Sequence, residues 1–145
     1  MIALLQRVSR AFVEIDGVEV AAIGRGLLVL VGVARGDEAA NAVRLAERVV
    51  GYRVFPDGEG RMNLSLKQVG GALLAVPQFT LAADTGKGSR ASFTSAAPPD
   101  AALPLFEQFV ARARAEGVRV ECGRFGADMK VTLTNDGPVT FWLEA

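Results

Sequence analysis

The stretch Leu27 to Val33 reads Leu-Leu-Val-Leu-Val-Gly-Val, and it constrains the fold more than any other part of the chain. A strand that is apolar on both parities needs cover on both faces, so it belongs at the centre of a sheet with packed layers on either side. Upstream, Ile2 to Leu5 is a mostly apolar strand that ends in Gln6 and Arg7, which places an arginine beside buried backbone. Phe12 to Ile15, Asp16-Gly17 and Val18 to Ile23 read as strand, Asp-Gly turn and strand. Gly24-Arg25-Gly26 turns the chain into the aliphatic run, so the opening reads as a meander.

After the run, Asp37 is positioned to cap a helix beginning at Glu38, with Ala39, Ala42 or Val43, Ala46 and Val49 or Val50 on the buried face. Asn41, Arg44, Glu47 and Arg48 fall on the opposite face, and Gly51 lies near the end. Pro56 to Gly60 is a turn, and Leu64 to Val69 carries no decisive period. Ala72 to Val76 is a short apolar strand running straight into Pro77-Gln78-Phe79-Thr80-Leu81. Proline has no amide to donate, so Gln78, Phe79 and Thr80 stand where a strand leaves its sheet. Such places commonly carry active-site groups.

Residues 82 to 99 form the longest irregular segment, with Lys87 and Arg90 among glycines. Those two cations suit phosphates or simply a solvated loop, and the pattern is not a Walker sequence. A second helix follows, with Leu103, Phe106, Phe109 or Val110 and Ala113 as its buried stripe and Gly117 as terminator. Val118 to Cys122 is another strand. Finally, Val131, Leu133 and Asn135, then Val139, Phe141 and Leu143, alternate with polar or exposed positions on either side of Asp136-Gly137-Pro138. Read from residues alone, this is two half-buried strands joined by a hairpin loop, with a Gly-Pro bond that can be trans or cis.

Composition narrows the chemistry. Lys plus Arg equals Asp plus Glu at 16 each, so no overall field recruits nucleic acid, and RNA contacts must be local. No histidine is present, which excludes Ser-His, Cys-His and His-ligated metal chemistry. A single cysteine, Cys122, excludes an internal disulfide and fits a reducing compartment. An enzyme built from these residues must use hydroxyls, carboxylates, lysines, backbone amides or groups of its substrate. The apolar start is broken by Gln6 and Arg7, too soon for a signal peptide, and a cytoplasmic protein without membrane contact is expected.

Taken together, Pro77 to Leu81, Gly123 to Ala127 and Asn135 to Thr140 resemble the D-aminoacyl-tRNA deacylases. The likeness extends to Met1 to Val8, Gly26 to Val33, Gly51-Tyr52-Arg53 and Phe141-Trp142-Leu143, nearly the whole chain. The expected fold is one α+β domain over residues 1–145, with a largely antiparallel, barrel-like β core and two main helices, acting as a homodimer. The resemblance implies hydrolysis of the ester joining a D-amino acid to the 3′ terminal adenosine of tRNA, with no metal or organic cofactor. It implies catalysis at Gln78, Phe79 and Thr80. It further implies rejection of L-amino acids by a cis Gly137-Pro138 reaching in from the partner subunit, with Arg7 holding those carbonyls. Phe125 and Met129 resemble the positions lining the adenine pocket, core packing being the competing reading for Met129. One departure stands out: the family commonly has Ser before Gln-Phe-Thr, and this chain has Pro77, so a serine cannot act there. Two other classes compete: a non-enzymatic RNA- or ribosome-binding protein, and a hydrolase of small D-amino-acid esters or amides. The neutral charge argues against the first.

Overall fold

The aliphatic run forms strand β3, Gly26–Gly32, and lies in the interior of a six-stranded sheet. In the computed structural model, which describes residues 1–145, β3 pairs antiparallel with β1, Ile2–Ile15, and parallel with β6, Ala72–Pro77. β6 in turn pairs parallel with β7, Arg119–Cys122. The sheet is therefore mixed, antiparallel wherever β1 takes part and parallel only across β3, β6 and β7. Parallel strands need long crossovers, and the helical segments between β3 and β6 and between β6 and β7 supply them.

Both faces of β3 and β6 are covered, as their composition requires. Leu27, Val29, Leu73 and Ala75 join a core of 25 buried residues shared with helix α1, Ala39–Gly51, and helix α3, Pro99–Ala115. Leu28, Leu74 and Val76 point the other way, into a core of nine buried residues. There Val8, Ala11, Val13 and Ile15 of β1 meet Ala21 and Ile23 of β2, Val18–Ile23, curling the sheet into a nearly closed barrel. Each fully buried Leu or Val contributes about 1.5–3 kcal/mol, so the two-sided strands carry a large share of the fold's stability.

The opening is not a meander. β2 pairs with Ala11 to Ile15 and β3 with Ile2 to Val8, both against β1, so the two are halves of one return arm broken at Gly24-Arg25. The break comes where β6 closes on β3: a side chain at Gly26 would sit 1.8 Å from the Ala72 carbonyl oxygen, so only glycine admits the approach. Asp37 is not the cap of α1. It accepts from the Met1 ammonium and the Ala34 amide, each at 2.7 Å, while the Glu38 N–H is donated to Asn41 Oδ1 at the helix start. In α1 the expected Ala39 is exposed in the first turn and Leu45 is buried instead, and in α3 Ala102 replaces Leu103, which is exposed. Leu66–Val69 forms a third, single-turn helix, α2, closed by reciprocal bonds between Ser65 and Gln68. A short hairpin, β4 Phe55–Pro56 with β5 Met62–Leu64, precedes it.

The last strand, β8, spans Lys130–Glu144 and pairs antiparallel with β1 on both sides of one interruption. The expected hairpin at Asp136 to Pro138 does not form. A hairpin would pair the two halves with each other; here both halves pair with β1, Asn135 opposite Val8 and Thr140 opposite Gln6. Four residues, Asp136 to Val139, are thus looped out of the ladder opposite Arg7 alone. No helix is long and apolar enough to cross a membrane.

Candidate active site

Strand β6 ends at Pro77, paired with Val31, and Gln78 gives its amide to the Val31 carbonyl at 2.8 Å. The chain then tightens into the 3₁₀ turn Phe79–Ala82, with the Leu81 amide on the Gln78 carbonyl and the Ala83 amide on that of Thr80. Gly32 at the end of β3 permits this closeness, since a Cβ there would meet Leu81 Cβ at 2.9 Å and the Gln78 oxygen at 3.2 Å. The first amides of such a turn have no partner within it, and none of the loop or cap hydrogen bonds uses Phe79 or Thr80 as a backbone donor. Beside them Gln78 Nε2 donates to Thr80 Oγ1 at 2.6 Å. None of these three side chains is ionisable, and the threonine hydroxyl has no base to take its proton.

Phe79 is more than half exposed and tilts against Phe93, ring centres 5.2 Å apart. The segment carrying Phe93 is tied down on two sides. Arg35 donates its amide to Ser95 O and Nε to Thr94 O, Ala97 donates to Val33 O, and Ser95 Oγ donates to Ala82 O. Phe79, Phe93 and Phe125, with Pro77, Pro98 and Arg35, line one cavity of about 400 Å³. Met129 lies outside that lining. It is half-buried against the smaller core, and its sulfur accepts the Arg124 amide at 3.4 Å. A Cβ at Gly123 would stand 2.8 Å from that sulfur, so Met129 packs under the loop that carries Phe125. Phe93 and Arg35 have no signal in the sequence, because only the bonds from Ser95 and Ala97 back to residues 33–35 place them here.

The second segment is the looped-out part of β8. Arg7, whose side chain is almost buried, donates Nε to the Asp136 carbonyl at 2.8 Å and Nη1 to the Val54 carbonyl at 2.6 Å. The Asp136 carboxylate stands 3.8 Å from the same guanidinium. Asn135 bridges the excursion from within, accepting from the Val139 amide at 2.8 Å and donating to Thr140 Oγ1 at 2.9 Å. Gly137 has φ +139, and a Cβ on it would fall 2.7 Å from Val139 Cγ2 and 3.0 Å from Arg7 Nη2. The Gly137–Pro138 bond is cis. No hydrogen bond or ion pair joins this segment to Gln78–Thr80 within the chain.

Lys87 and Arg90 are exposed on their loop. Cys122, at the end of β7, is half-buried; burial pushes its thiol up, with the nearby Arg114 charge opposing.

A sequence model of the family described as D-Tyr-tRNA(Tyr) deacylase matches residues 4–144. A D-aminoacyl-tRNA deacylase of Alkalilimnicola ehrlichii is 62% identical over 145 residues, covering 100% of this chain and 97% of that protein. One of Photorhabdus laumondii is 58% identical over 144 residues, 99% of each chain. Among solved structures, one titled c-Myc DNA Unwinding Element Binding Protein superposes with TM-score 0.94 at 36% identity, over 100% of this chain and 99% of its own. A probable eukaryotic D-amino acid tRNA deacylase shares the fold, with TM-score 0.83 at 20% identity over 99% and 98% of the two chains. With one family spanning the sequence from end to end and relatives this similar at full length, the chain belongs to the D-Tyr-tRNA(Tyr) deacylase family.

Proposed function

We propose that this protein hydrolyses the ester of D-aminoacyl-tRNA, releasing free tRNA and the D-amino acid, and spares the L-isomer. The observation that carries the mechanism is the pair of backbone amides at Phe79 and Thr80, unpaired within the chain and placed at the edge of an aromatic cavity. Two such donors suit the oxyanion that forms when water adds to the ester carbonyl carbon. Collapse of that intermediate breaks the carbon–oxygen bond to the ribose, and the departing ribose oxygen takes a proton from the attacking water. The neighbouring ribose hydroxyl orients that water, since the segment offers no general base. Thr80, held by Gln78, positions the substrate, and Pro77 leaves no serine to attack. Phe125 and Phe79 give the terminal adenine apolar faces, with Met129 supporting the loop from behind.

Selection falls to Gly137-Pro138, held out of the ladder by Arg7 and Asn135 and contributed by the second subunit of a homodimer. Rejection by clash needs no recognition of a particular side chain, so one pocket serves many D-amino acids. Two features of β8 favour a dimer: the strand pairs with β1 alone, and it exposes Trp142. Glycine has no side chain to clash, so glycyl-tRNA, including glycine mischarged on tRNA(Ala), is also a substrate. Setting is cytoplasmic translation, where tRNA is charged.

The test is deacylation of matched D-tyrosyl-, L-tyrosyl- and glycyl-tRNA by the purified protein. Cleavage of the D and glycyl esters with L spared is expected; cleavage of none of them refutes the reading. Thr80→Ala separates the two mechanisms, a loss within about tenfold supporting backbone catalysis and near-complete loss pointing to the hydroxyl.

A further inference from the structure

Phe125 has a second side. Besides the cavity it shares with Phe79, it borders a groove of about 630 Å³ between α3 and the connection from β7 to β8. The groove is lined by Leu103, Phe106, Glu107, Arg114 and Arg124 among others. Its two arginines enter no ion pair, whereas Arg112, on the same helix, is engaged by both Glu47 and Glu116. Arg114 is fixed in place by donating Nη2 to the Val120 carbonyl at 3.1 Å. Arg124 makes no side-chain bond at all, although its amide is held by Met129. Glu107 is the groove's sole acid and is likewise unpaired, so the lining carries a net positive charge. Leu103, exposed on a helix whose other large apolar side chains are mostly buried, adds an apolar wall.

We propose that this groove seats the phosphodiester and the nucleotide that precede the terminal adenosine of the substrate RNA. The inference rests on the deacylase reading above, which puts that adenosine against Phe125. A single strand leaving the first cavity past Phe125 enters the groove directly. Arg114 and Arg124 meet the phosphate, and the exposed Leu103 gives the base an apolar contact at the groove's edge. The loop with Lys87 and Arg90 is the rival exit, but those cations line neither cavity.

Three substrates of increasing length test this: D-tyrosyl-adenosine, which lacks the phosphodiester, D-tyrosyl-CCA trinucleotide and D-tyrosyl-tRNA. The readout is the ratio of kcat/KM on the trinucleotide to that on the nucleoside. Arg124→Glu, at an exposed side chain without a partner, lowers that ratio about tenfold, and Arg114→Gln lowers it less because it removes one charge where the other reverses it. Thermal midpoints of both variants check folding, and Arg124→Lys restores most of the ratio. A ratio unchanged in both variants overturns the proposal, as does a ratio moved only by Lys87→Glu or Arg90→Glu. A parent protein active on D-tyrosyl-tRNA with equal kcat/KM on the two short substrates overturns the groove while leaving the deacylase reading intact. A parent inert on all three removes both.

Discussion

Two prolines interrupt strands in this protein, Pro77 in β6 and Pro138 in β8, and the chain responds differently to each. At Pro77 the strand stops. The next amide finds the Val31 carbonyl and the chain folds into the turn that holds Phe79 and Thr80. At Pro138 the strand resumes, and Thr140 is back in register with Gln6 only two residues later. Proline removes the same amide in both places. The difference lies in what surrounds it. β1 continues beneath β8 on both sides of the excursion, and Arg7 and Asn135 supply the bonds that the ladder lost. β6 has no such continuation, because its pairing with β7 ends at Ala75 opposite Cys122. A proline ends a strand where no neighbour waits beyond it, and makes a bulge where one does.

The comparison can be broken most severely at Arg7. Arg7→Ala leaves the buried Val54 carbonyl and the Asp136 carbonyl without their donor, and a loss of about 3 kcal/mol is expected in urea unfolding at fixed protein concentration. Arg7→Lys, keeping charge but not the fork, falls between. An Arg7→Ala protein as stable as its parent means β1 pairing alone carries the excursion. Next is Gly137→Ala, which must accommodate the +139° φ and the contact with Val139; about 2 kcal/mol is expected from the same unfolding curves. Asn135→Ala should cost about 1 kcal/mol and speed hydrogen exchange of the Val139 amide, with amides of β6 unaffected. Smallest is Pro77→Ser, which returns an amide donor and chain freedom at the strand end; a destabilisation of about 0.5 kcal/mol is expected in thermal unfolding. If Pro77→Ser is instead as costly as Gly137→Ala, the two interruptions are not different in kind.

Much of the fold was legible because it depends on local composition. The aliphatic run of β3 announces a strand buried on both sides, and the periodicity of α1 and α3 gives two helices whose buried faces are right except that Leu45 and Ala102 are buried where Ala39 and Leu103 were expected. What misled were alternations whose partner lies far along the chain. Alternation on both sides of Asp136 to Pro138 fits a hairpin or one long strand equally well. The choice falls to β1, more than 120 residues away, and local sequence says nothing about it. The return arm split between β2 and β3 was obscured for the same reason, since the contact of Gly26 with Ala72 decides it. In the candidate site, Gln78 to Thr80 could be singled out from a proline at a strand end, but Phe93 and Arg35 could not.

The sequence by itself determined the two main helices and the apolar strands of the core, that no histidine chemistry operates, and, through motifs at wide separation, which family the chain resembles. Only the tertiary structure decided that β8 is a single strand, that Arg7 reaches both Asp136 and Val54, and that three phenylalanines from separate segments share one cavity. The physical reason is range. Side-chain period and turn chemistry are set by neighbours a few residues apart, whereas pairing partners and cavity walls are chosen by which buried surfaces and unsatisfied backbone groups meet when the whole chain collapses.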